Sequence, residues 1–360
     1  MAQSYYLEYA QKYFPGLVTS IVERINEKNA TSLNYMYRDL LTPTYSVDGK
    51  WASILAEYTR VAADVVALDS ELPLKSRDTL EVVSGEIPKM GMKLYLTETQ
   101  IKKIDSMIAQ NVDINLIVDN IFQDTPRCIE GIYERIEDIF LSQLSTGVGL
   151  NSRNNGTGVR IDVGFRTENK FGVAKEWAGN ADTATPMSDL QKVFDKAMQD
   201  NNTITDMWVD DTWLQAFYAN KQVREQYAFN MNFVGSNIPT LDFEQASMVV
   251  RRKFGVTLHR VARKVKTEIN GVKNNHSPWA TGVCAFTCDE KLGSLIWTTV
   301  AEATRPVAGT EYQVADNFIL MSKYSTNDPF REITSSQAMV VPILNNVDRI
   351  YLLDSTQVQA

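Results

Sequence analysis

The strongest periodic pattern in the sequence lies between Thr125 and Gly147. Apolar residues recur there at steps of three and four, at Ile129, Ile132, Tyr133, Ile136, Ile139, Phe140 and Leu144. Thr125 can cap a helix, Pro126 suits its first position, and Gly147 suits the position beyond its end. The pattern predicts a helix over about 126–146, roughly 30 Å long. The charged residues outside the stripe are predicted to point away from the buried face: Glu130, Glu134, Arg135, Glu137 and Asp138.

Two capping-box patterns predict further helix starts, because Thr or Ser followed three residues later by Gln can satisfy backbone N–H groups. One pattern joins Thr97 with Gln100, and the other joins Ser188 with Gln191. A strand is predicted at 207–209, followed by a helix that carries Trp213 and Phe217 one turn apart in the core. These elements indicate a compact α+β region after about residue 186.

The N-terminal stretch from Met1 to about Tyr45 mixes aromatic and polar residues without a clear core pattern. It indicates one short helix, around Leu17–Glu27. We interpret the stretch as an arm that can lie on a neighbouring molecule.

Residues 51–96 carry strand-type apolar residues on both sides of a polar cluster at 75–78. The apolar positions between Leu80 and Tyr95 are predicted to return from that polar tip, which gives a long two-stranded ribbon. Since an isolated two-stranded ribbon is marginal in water, this ribbon needs another surface to lie on.

One basic run interrupts an otherwise mixed charge distribution. Residues 251–273 contain eight basic residues and a single acid, Glu268. The apolar positions Val256, Leu258, Val261 and Val265 predict strand structure whose charges lie on a solvated face. Asn270-Gly271 predicts a hairpin turn, because both residues accept positive φ. A nucleic-acid surface is the alternative, although Phe254 is the only nearby aromatic residue that could stack on a base.

Composition places the chain among ordinary folded proteins. Of 360 residues, 44% are hydrophobic and 22% are charged, which is enough apolar sequence for a sizeable core. The net charge of -8 argues against general nucleic-acid affinity, because such binding needs a positive surface. The N-terminal sequence lacks the basic-then-apolar order of a signal peptide, and no long apolar run predicts a membrane span. We expect a cytoplasmic protein with three reduced cysteines.

Candidate chemistry in the sequence is weak. Cys284, Cys288, His276 and His259 do not have the paired short spacings of a structural zinc site, so neither a metal nor another cofactor is predicted. Acid pairs such as Asp210-Asp211 are common on surfaces and define no cleft. The phosphate-binding loop and the common hydrolase motifs are missing from the sequence. We therefore predict that the protein is not an enzyme.

The last forty residues carry the most specific pattern. Asn327-Asp328-Pro329 is followed by Arg331-Glu332, by Gln337-Ala338 and by the apolar run 340–344. This order resembles the end of the major head protein family of phage lambda and its relatives. Asp210, Trp213 and Phe217, and then the run 270–273, are similar to stretches of the same family and occur in the same order. Before Gly147 only the order of the elements is similar.

The resemblance implies an α+β fold of the Hong Kong 97 capsid type. The expected parts are an N-terminal arm (1–50), an extended ribbon loop (51–96), a peripheral domain with a spine helix (97–186, with the helix at about 126–146), an axial domain (187–317) and return strands of the peripheral domain (318–360).

The implied function is that of a structural major capsid protein of a tailed double-stranded DNA bacteriophage. Its copies would form hexamers and pentamers of an icosahedral shell, a virion component assembled in the cytoplasm of the bacterial host. The implied partners are further copies of the chain, a separate scaffolding protein, a portal protein and encapsidated DNA bound without sequence specificity. A decoration protein is a further candidate, and no membrane partner is expected.

Residues at the ribbon, at the 270–273 turn and in the C-terminal motif are the expected intersubunit contacts. They are Leu72, Leu74, Lys75, Arg77, Asp78, Glu86, Lys89, Asn270, Lys273, Asp328, Arg331 and Glu332. Two alternatives to the capsid interpretation are a phage tail or other self-assembling structural protein, and a DNA-associated protein that uses the basic run 251–273.

Overall fold

The structure of the protein is a computed structural model. It describes residues 4–26, 35–55, 81–150, 160–232, 238, 240–269 and 271–359. Ribbon residues Leu72, Leu74, Lys75, Arg77 and Asp78, and turn residue Asn270, lie outside this set.

Helices and strands both occur throughout the described chain. The helices are α1 (Leu7–Asn26), α2 (Met36–Leu40), α3 (Glu98–Ala109), α4 (Ile114–Phe122), α5 (Thr125–Thr146), α6 (Pro186–Gln199), α7 (Asp211–Ala219), α8 (Lys221–Asn230), α9 (Phe243–Phe254) and α10 (Ala301–Thr304). The strands are β1 (Leu41–Tyr45), β2 (Lys50–Leu55), β3 (Glu81–Glu86), β4 (Lys89–Leu96), β5 (Val148–Leu150), β6 (Ile161–Asp162), β7 (Lys170–Val173), β8 (Asp206–Val209), β9 (Thr257–Arg260), β10 (Val265–Ile269), β11 (Val272–His276), β12 (Val283–Thr287), β13 (Gly293–Thr298), β14 (Glu311–Ala315), β15 (Ile319–Asn327), β16 (Phe330–Leu344) and β17 (Ile350–Val358).

The chain divides into two compact units, each built from three separate segments. Unit 1 comprises 1–51, 85–140 and 294–342, and unit 2 comprises 52–84, 141–293 and 343–360. These limits do not coincide with the predicted boundaries near 187 and 317. The segment 318–360, which we assigned to one domain, is divided because β17 pairs with β12 and β7 in the sheet of unit 2.

Unit 1 contains a six-stranded sheet with the order β1-β13-β16-β15-β14, and β4 also pairs with β16. The β15–β16 hairpin is its longest antiparallel ladder, from Ile319 opposite Ala338 to Asn327 opposite Phe330. We predicted that 89–96 belongs to the ribbon. The structure instead pairs β4 along Glu332–Met339 of β16, where Met90, Met92 and Leu94 are partly buried.

The long helix α5 confirms the strongest pattern in the sequence. All seven residues of the apolar stripe are at most 2% exposed, and Gly147, with φ of 86°, follows the last turn. The predicted cap is wrong. Thr125 lies inside the helix, and its buried hydroxyl has no hydrogen-bond partner in the described part of the chain, while the carbonyl of Asp124 accepts the N–H of Cys128.

Residues 4–26 of the N-terminal stretch pack within unit 1, whereas we interpreted the stretch as an arm that can lie on a neighbouring molecule. Helix α1 is 20 residues long and contacts α4 and β14. Its apolar stripe, including the preceding turn, is buried: Tyr6, Ala10, Phe14, Val18, Ile21 and Ile25. The stripe is not evident from the sequence, because Pro15 and Gly16, which usually interrupt helices, lie in its middle.

Unit 2 is built on a five-stranded sheet with the order β7-β17-β12-β8-β9. Trp213 and Phe217 stack in its core with ring centroids 4.7 Å apart, and Trp177 packs against both. The predicted strand at 207–209 and the helix after it are confirmed as β8 and α7. Asp210 caps α7 by accepting the backbone N–H groups of Thr212 and Trp213.

The two capping-box predictions have different outcomes. At α3, the Gln100 side chain accepts the backbone N–H of Thr97 at 2.8 Å, as predicted. At α6, the helix already begins at Pro186, so Ser188 lies inside it and Gln191 bonds to Asp195 instead. With proline at its first position, the helix starts three residues upstream, because the N-cap is Thr185 and not Ser188.

The basic run combines the end of a helix with strands. Arg251, Arg252 and Lys253 occupy the last turn of α9, which is followed by Gly255 with φ of 76°, and the strands β9 and β10 come later in the run. Positive charge is favourable there because the helix dipole is negative at the C-terminal end. The four apolar positions that we predicted to face the core, Val256, Leu258, Val261 and Val265, are all buried.

Candidate intersubunit surfaces

The base of the predicted ribbon is an ordered hairpin. Strands β2 and β3 pair with each other, and the ring of Trp51 lies where a side chain at Gly85 would be, 2.9 Å from an added Cβ. The Ile87 N–H donates to the carbonyl of Gly49 at 3.0 Å. Glu86 is exposed at the end of β3. The strands that lead to and from the 56–80 segment are therefore fixed at their base, and Glu86 is accessible there.

Lys89 is half exposed and already has a partner in its own subunit. Its Nζ lies 2.8 Å from Oε1 of Glu302, and hydrogen bonding to this ammonium lowers the pKa of the Glu302 carboxyl. An intersubunit contact through Lys89 would have to share or replace this ion pair.

The β10–β11 hairpin is the most exposed pair of strands in unit 2. In the described part of the chain it pairs with no other strand. Gly271, with φ of 78°, forms the turn, as the hairpin signal predicted. Val272 is 61% exposed, and Lys273 is exposed with its ammonium 4.0 Å from the carboxylate of Glu268. The hairpin presents the apolar side chain of Val272 and the cations Lys266 and Lys273 to solvent.

The tip of the β15–β16 hairpin carries the C-terminal motif. The Asp328-Pro329 peptide is cis, and Asp328 is exposed. Arg331 lies over the ring of Tyr95 with its guanidinium carbon 3.9 Å from the centroid, and Tyr5 stacks on Phe330 at 4.3 Å. Asp328 is thus accessible, whereas Arg331 is held against an aromatic face of its own unit.

Glu332 differs from the expectation of an intersubunit contact, because its side chain is completely buried. Its carboxylate accepts hydrogen bonds from the Ser4 hydroxyl and the Tyr5 N–H, and the ammonium of Lys323 lies 4.0 Å away. A side chain with these internal partners has no surface to offer to a second subunit, so we leave it out of the contact set.

Acidic residues of α5 have structural roles that the sequence analysis missed. Glu137 and Asp138, which we predicted to point away from the buried face, are at most 2% exposed. Asp138 pairs with Arg135 at 2.7 Å. Glu134 accepts the hydroxyl of Tyr35 at 3.2 Å. A periodic pattern cannot identify a contact such as that of Glu134, because Tyr35 is 99 residues away in the chain.

Several cations of the basic run are paired within unit 2. Arg260 Nε lies 2.5 Å from Asp211, and this hydrogen bond lowers the pKa of the Asp211 carboxyl. Arg252 donates to the carbonyl of Asn230 at 3.1 Å. The run is therefore divided between a helix end, an ion pair and a hairpin, and it does not form one continuous basic element.

The cysteines are free thiols in three different surroundings. Cys128 and Cys284 are buried and Cys288 is half buried. Burial raises the pKa of Cys128 and Cys288 to about 12 and that of Cys284 well above its ordinary value. Among the described residues, no group of three or more His, Cys, Asp or Glu side chains is arranged to hold a metal ion, and no helix is long and apolar enough to cross a membrane.

Comparison with known protein families identifies the family of this chain. The profile of the family described as phage major capsid protein E matches residues 36–344. The chain belongs to this family. The match covers the β2–β3 hairpin, α5, unit 2 up to β13, and the β15–β16 hairpin. A comparison with curated proteins found no significant match.

Three solved structures of phage proteins superpose on this chain at low sequence identity. A prophage protein of E. coli CFT073 described as a capsid protein superposes with a TM-score of 0.56 at 14% identity, over 98% of this chain and 99% of that chain. A phage-related protein of Bordetella bronchiseptica RB50 gives 0.48 at 10% identity, over 95% and 98%. A chain of the cyanophage A-1(L) capsid gives 0.46 at 11% identity, over 89% and 93%. The α+β fold is that of a phage capsid protein, consistent with the predicted Hong Kong 97 type, and the protein is a structural capsid protein.

Proposed function

We propose that copies of this chain form the hexamers and pentamers of an icosahedral head that encloses the double-stranded DNA of a tailed phage. The observation that carries the proposal is the family match over 36–344, which includes the β2–β3 and β10–β11 hairpins. Rings and closed shells need heterologous contacts, in which one surface patch meets a different patch on the next copy. Hairpins that extend from a compact unit suit such contacts, because they add area beyond the body of the subunit.

The proposed contact surfaces are the ribbon, the β10–β11 hairpin and the tip of the β15–β16 hairpin. Their residues are Leu72, Leu74, Lys75, Arg77, Asp78, Glu86, Asn270, Lys273 and Asp328, with Lys89 and Arg331 in secondary positions because each has a partner in its own subunit. The β10–β11 hairpin supports this assignment because a two-stranded ribbon is marginal in water, and a neighbouring subunit would supply a surface for it.

The proposed partners follow from the proposed shell. They are a separate scaffolding protein, a portal protein and the packaged DNA, with a decoration protein as a further candidate. The protein would be assembled in the cytoplasm of the host and would function in the virion. The net charge of -8 suits a wall that encloses DNA without adhering to it, because fixed negative charge repels the phosphate backbone.

Sedimentation followed by negative-stain microscopy tests the proposal. We expect purified protein, alone or co-expressed with its scaffolding protein, to give closed shells or rings of five and six subunits. Open tubes would instead support the tail alternative. A protein that stays monomeric even with the scaffolding protein would contradict the proposal.

The ribbon is best tested by replacing residues 56–80 with a short Gly/Ser linker. A wider deletion that includes β3 would also remove Gly85, which packs on Trp51, and would confuse assembly with folding. We expect a folded monomer that no longer assembles. Shells of normal size from the linker variant would exclude the ribbon as an essential contact.

A further inference from the structure

A buried ion pair lies beneath the N-terminal segment of unit 1. The side chains of Lys323 on β15 and Glu332 on β16 are both fully buried, with Nζ 4.0 Å from Oε1. Lys323 also donates to the carbonyl of Ile121 at 3.0 Å and to the hydroxyl of Thr334 at 3.2 Å, and its ammonium lies 5.0 Å from the ring centroid of Phe122. Buried charges are costly unless they are paired and hydrogen-bonded, so the atoms that complete this site matter to its stability.

The remaining partners of the pair come from residues 4–6. The Ser4 hydroxyl donates to Oε1 of Glu332, and the Tyr5 N–H donates to Oε2 at 3.1 Å. The Ser4 oxygen in turn accepts the N–H of Tyr6 at 3.2 Å. Hydrogen bonds to an ionised acceptor are stronger than neutral ones, so this carboxylate is the main polar attachment point of the segment.

Apolar contacts place α1 over the same region. Phe14 stacks on Phe122 with centroids 5.7 Å apart, and Phe122 is the ring that faces the Lys323 ammonium. The Tyr6 hydroxyl donates to the carbonyl of Ile101 at 3.2 Å and to Asp105 at 3.1 Å. The segment 4–26 is therefore held at one end by a carboxylate and along its length by an apolar stripe.

We propose that residues 4–26 form a detachable cover, which is fastened to the body of unit 1 by the Lys323–Glu332 pair and which keeps that pair dry. Detachment would replace the hydrogen bonds of Ser4 and Tyr5 with water and would hydrate both charges. The cover and the ion pair therefore stabilise each other, and the cover opens at a lower free-energy cost than the sheet beneath it. The proposal concerns the isolated subunit and does not depend on assembly.

The electrostatic surroundings agree with a dry site. Burial lowers the pKa of Lys323 to about 8, and the nearby Glu332 and Asp124 carboxylates oppose this effect. The other titratable group that acts on the ammonium is the Cys128 thiol on α5, and Glu311 on β14 is opposite Lys323 in the strand register. The effect of burial on the Lys323 pKa is larger than the opposite effect of the neighbouring acids, as is expected where water is excluded.

Hydrogen exchange read by mass spectrometry tests the cover in the full-length protein. Glu332→Gln keeps the shape of the side chain but removes the charge, and Ser4→Ala removes one donor from the cover alone. We expect α1 amides to exchange at least about tenfold faster in Glu332→Gln and several-fold faster in Ser4→Ala. Exchange of α5 should be unchanged in Ser4→Ala. Glu98→Gln, which alters an exposed acid of the same unit, should change the exchange of neither α1 nor α5.

Acylation of lysines by an amine-reactive reagent tests whether the cover keeps the pair dry. In the unmodified protein Lys102 should react at once, whereas Lys323 should react only as fast as α1 opens. In Ser4→Ala both α1 exchange and Lys323 acylation should accelerate by the same factor. Unchanged α1 exchange in both variants, or Lys323 that reacts only on global unfolding while α1 opens freely, would overturn the proposal.

Discussion

The carboxylate of Glu137, in the middle of the long helix α5, accepts the backbone N–H of Tyr37 at 3.1 Å. Its other oxygen accepts the N–H of Met36 at 3.0 Å, so one buried side chain satisfies the first turn of α2. The same region is held by the Tyr133 hydroxyl and by Arg38, both of which contact Asp316. The long helix α5, which is amphipathic in sequence, thus also organises the chain on its polar side.

Removal of the Glu137 carboxylate should destabilise unit 1. In Glu137→Ala one buried and one partly buried N–H group lose their acceptor, which should cost about 2–4 kcal/mol. Glu137→Gln retains one acceptor oxygen and should cost less. Urea unfolding measures both values, with the exposed Glu98→Ala as a control that should change stability by less than about 0.5 kcal/mol. Equal stability of Glu137→Ala and the control would show that these hydrogen bonds do not hold α2.

Two glycines of unit 1 should respond in opposite directions to the same substitution. A Cβ at Gly91 on β4 would lie 2.5 Å from the carbonyl oxygen of Ser336, so Gly91→Ala must separate β4 from β16 and should lower the melting temperature by several degrees. Gly16 is inside α1 with no atom within 4 Å of an added Cβ. Gly16→Ala should therefore stabilise by about 0.5–1 kcal/mol through helix propensity. Calorimetry of the two variants provides the comparison.

The spacing of residues predicted correctly those elements that depend on interactions between residues close together in the chain. The apolar stripe of α5, the capping box at Thr97, the Trp213–Phe217 pair and the hairpin turn at Gly271 all follow from spacing within a few residues. Two prolines led to incorrect predictions of helix boundaries. Helix α6 begins at Pro186, three residues before the start that the Ser188 cap predicted, because the first position of a helix tolerates proline. Pro15 made the α1 pattern look interrupted, because a helix interior usually excludes proline.

Long-range polar contacts explain what the sequence could not predict. Glu332 was recognised within a motif but assigned to a contact between subunits, whereas its partners are Ser4 and Tyr5, more than 320 residues away. Glu137 was placed on the solvated side because a charged residue outside an apolar stripe is usually exposed. The family resemblance predicted the capsid assignment correctly, because a motif is recognised from the order of its residues. The same motif does not show which distant residues its side chains contact.

The buried Lys323 should give a characteristic alkaline pH dependence. Because its folded pKa of about 8 lies below the unfolded value, the folded chain releases this proton first. The stability contribution of Lys323 therefore rises between pH 8 and about 10.4, by about 3 kcal/mol in total, and is constant below that range. The buried thiols, whose pKa is raised, act in the opposite direction. The thiols contribute equally to the unmodified protein and to Lys323→Met. The difference between the free energies of unfolding of these two proteins therefore reports the titration of Lys323 alone.

Urea unfolding of the two proteins at several pH values from 7 to 10 measures this difference. At pH 7, Lys323→Met leaves Glu332 buried without its cation and should be the less stable protein. The double variant Lys323→Met with Glu332→Gln should recover part of the loss, because it removes the unpaired charge. A difference that does not change with pH would mean that Lys323 titrates as an ordinary exposed lysine.

The β10–β11 hairpin gives the sharpest test of an assembly surface, because two valines in different units are equally exposed. Val272 on the hairpin and Val307 before β14 are each 61% exposed, so Asp at either position should leave the melting temperature of the monomer within about two degrees. Val272→Asp should reduce shell formation at least tenfold, because burial of a carboxylate against a neighbouring subunit is costly. Val307→Asp is the matched control, and sedimentation of both variants with the scaffolding protein measures assembly. Normal shells from Val272→Asp would remove this hairpin from the proposed contact set.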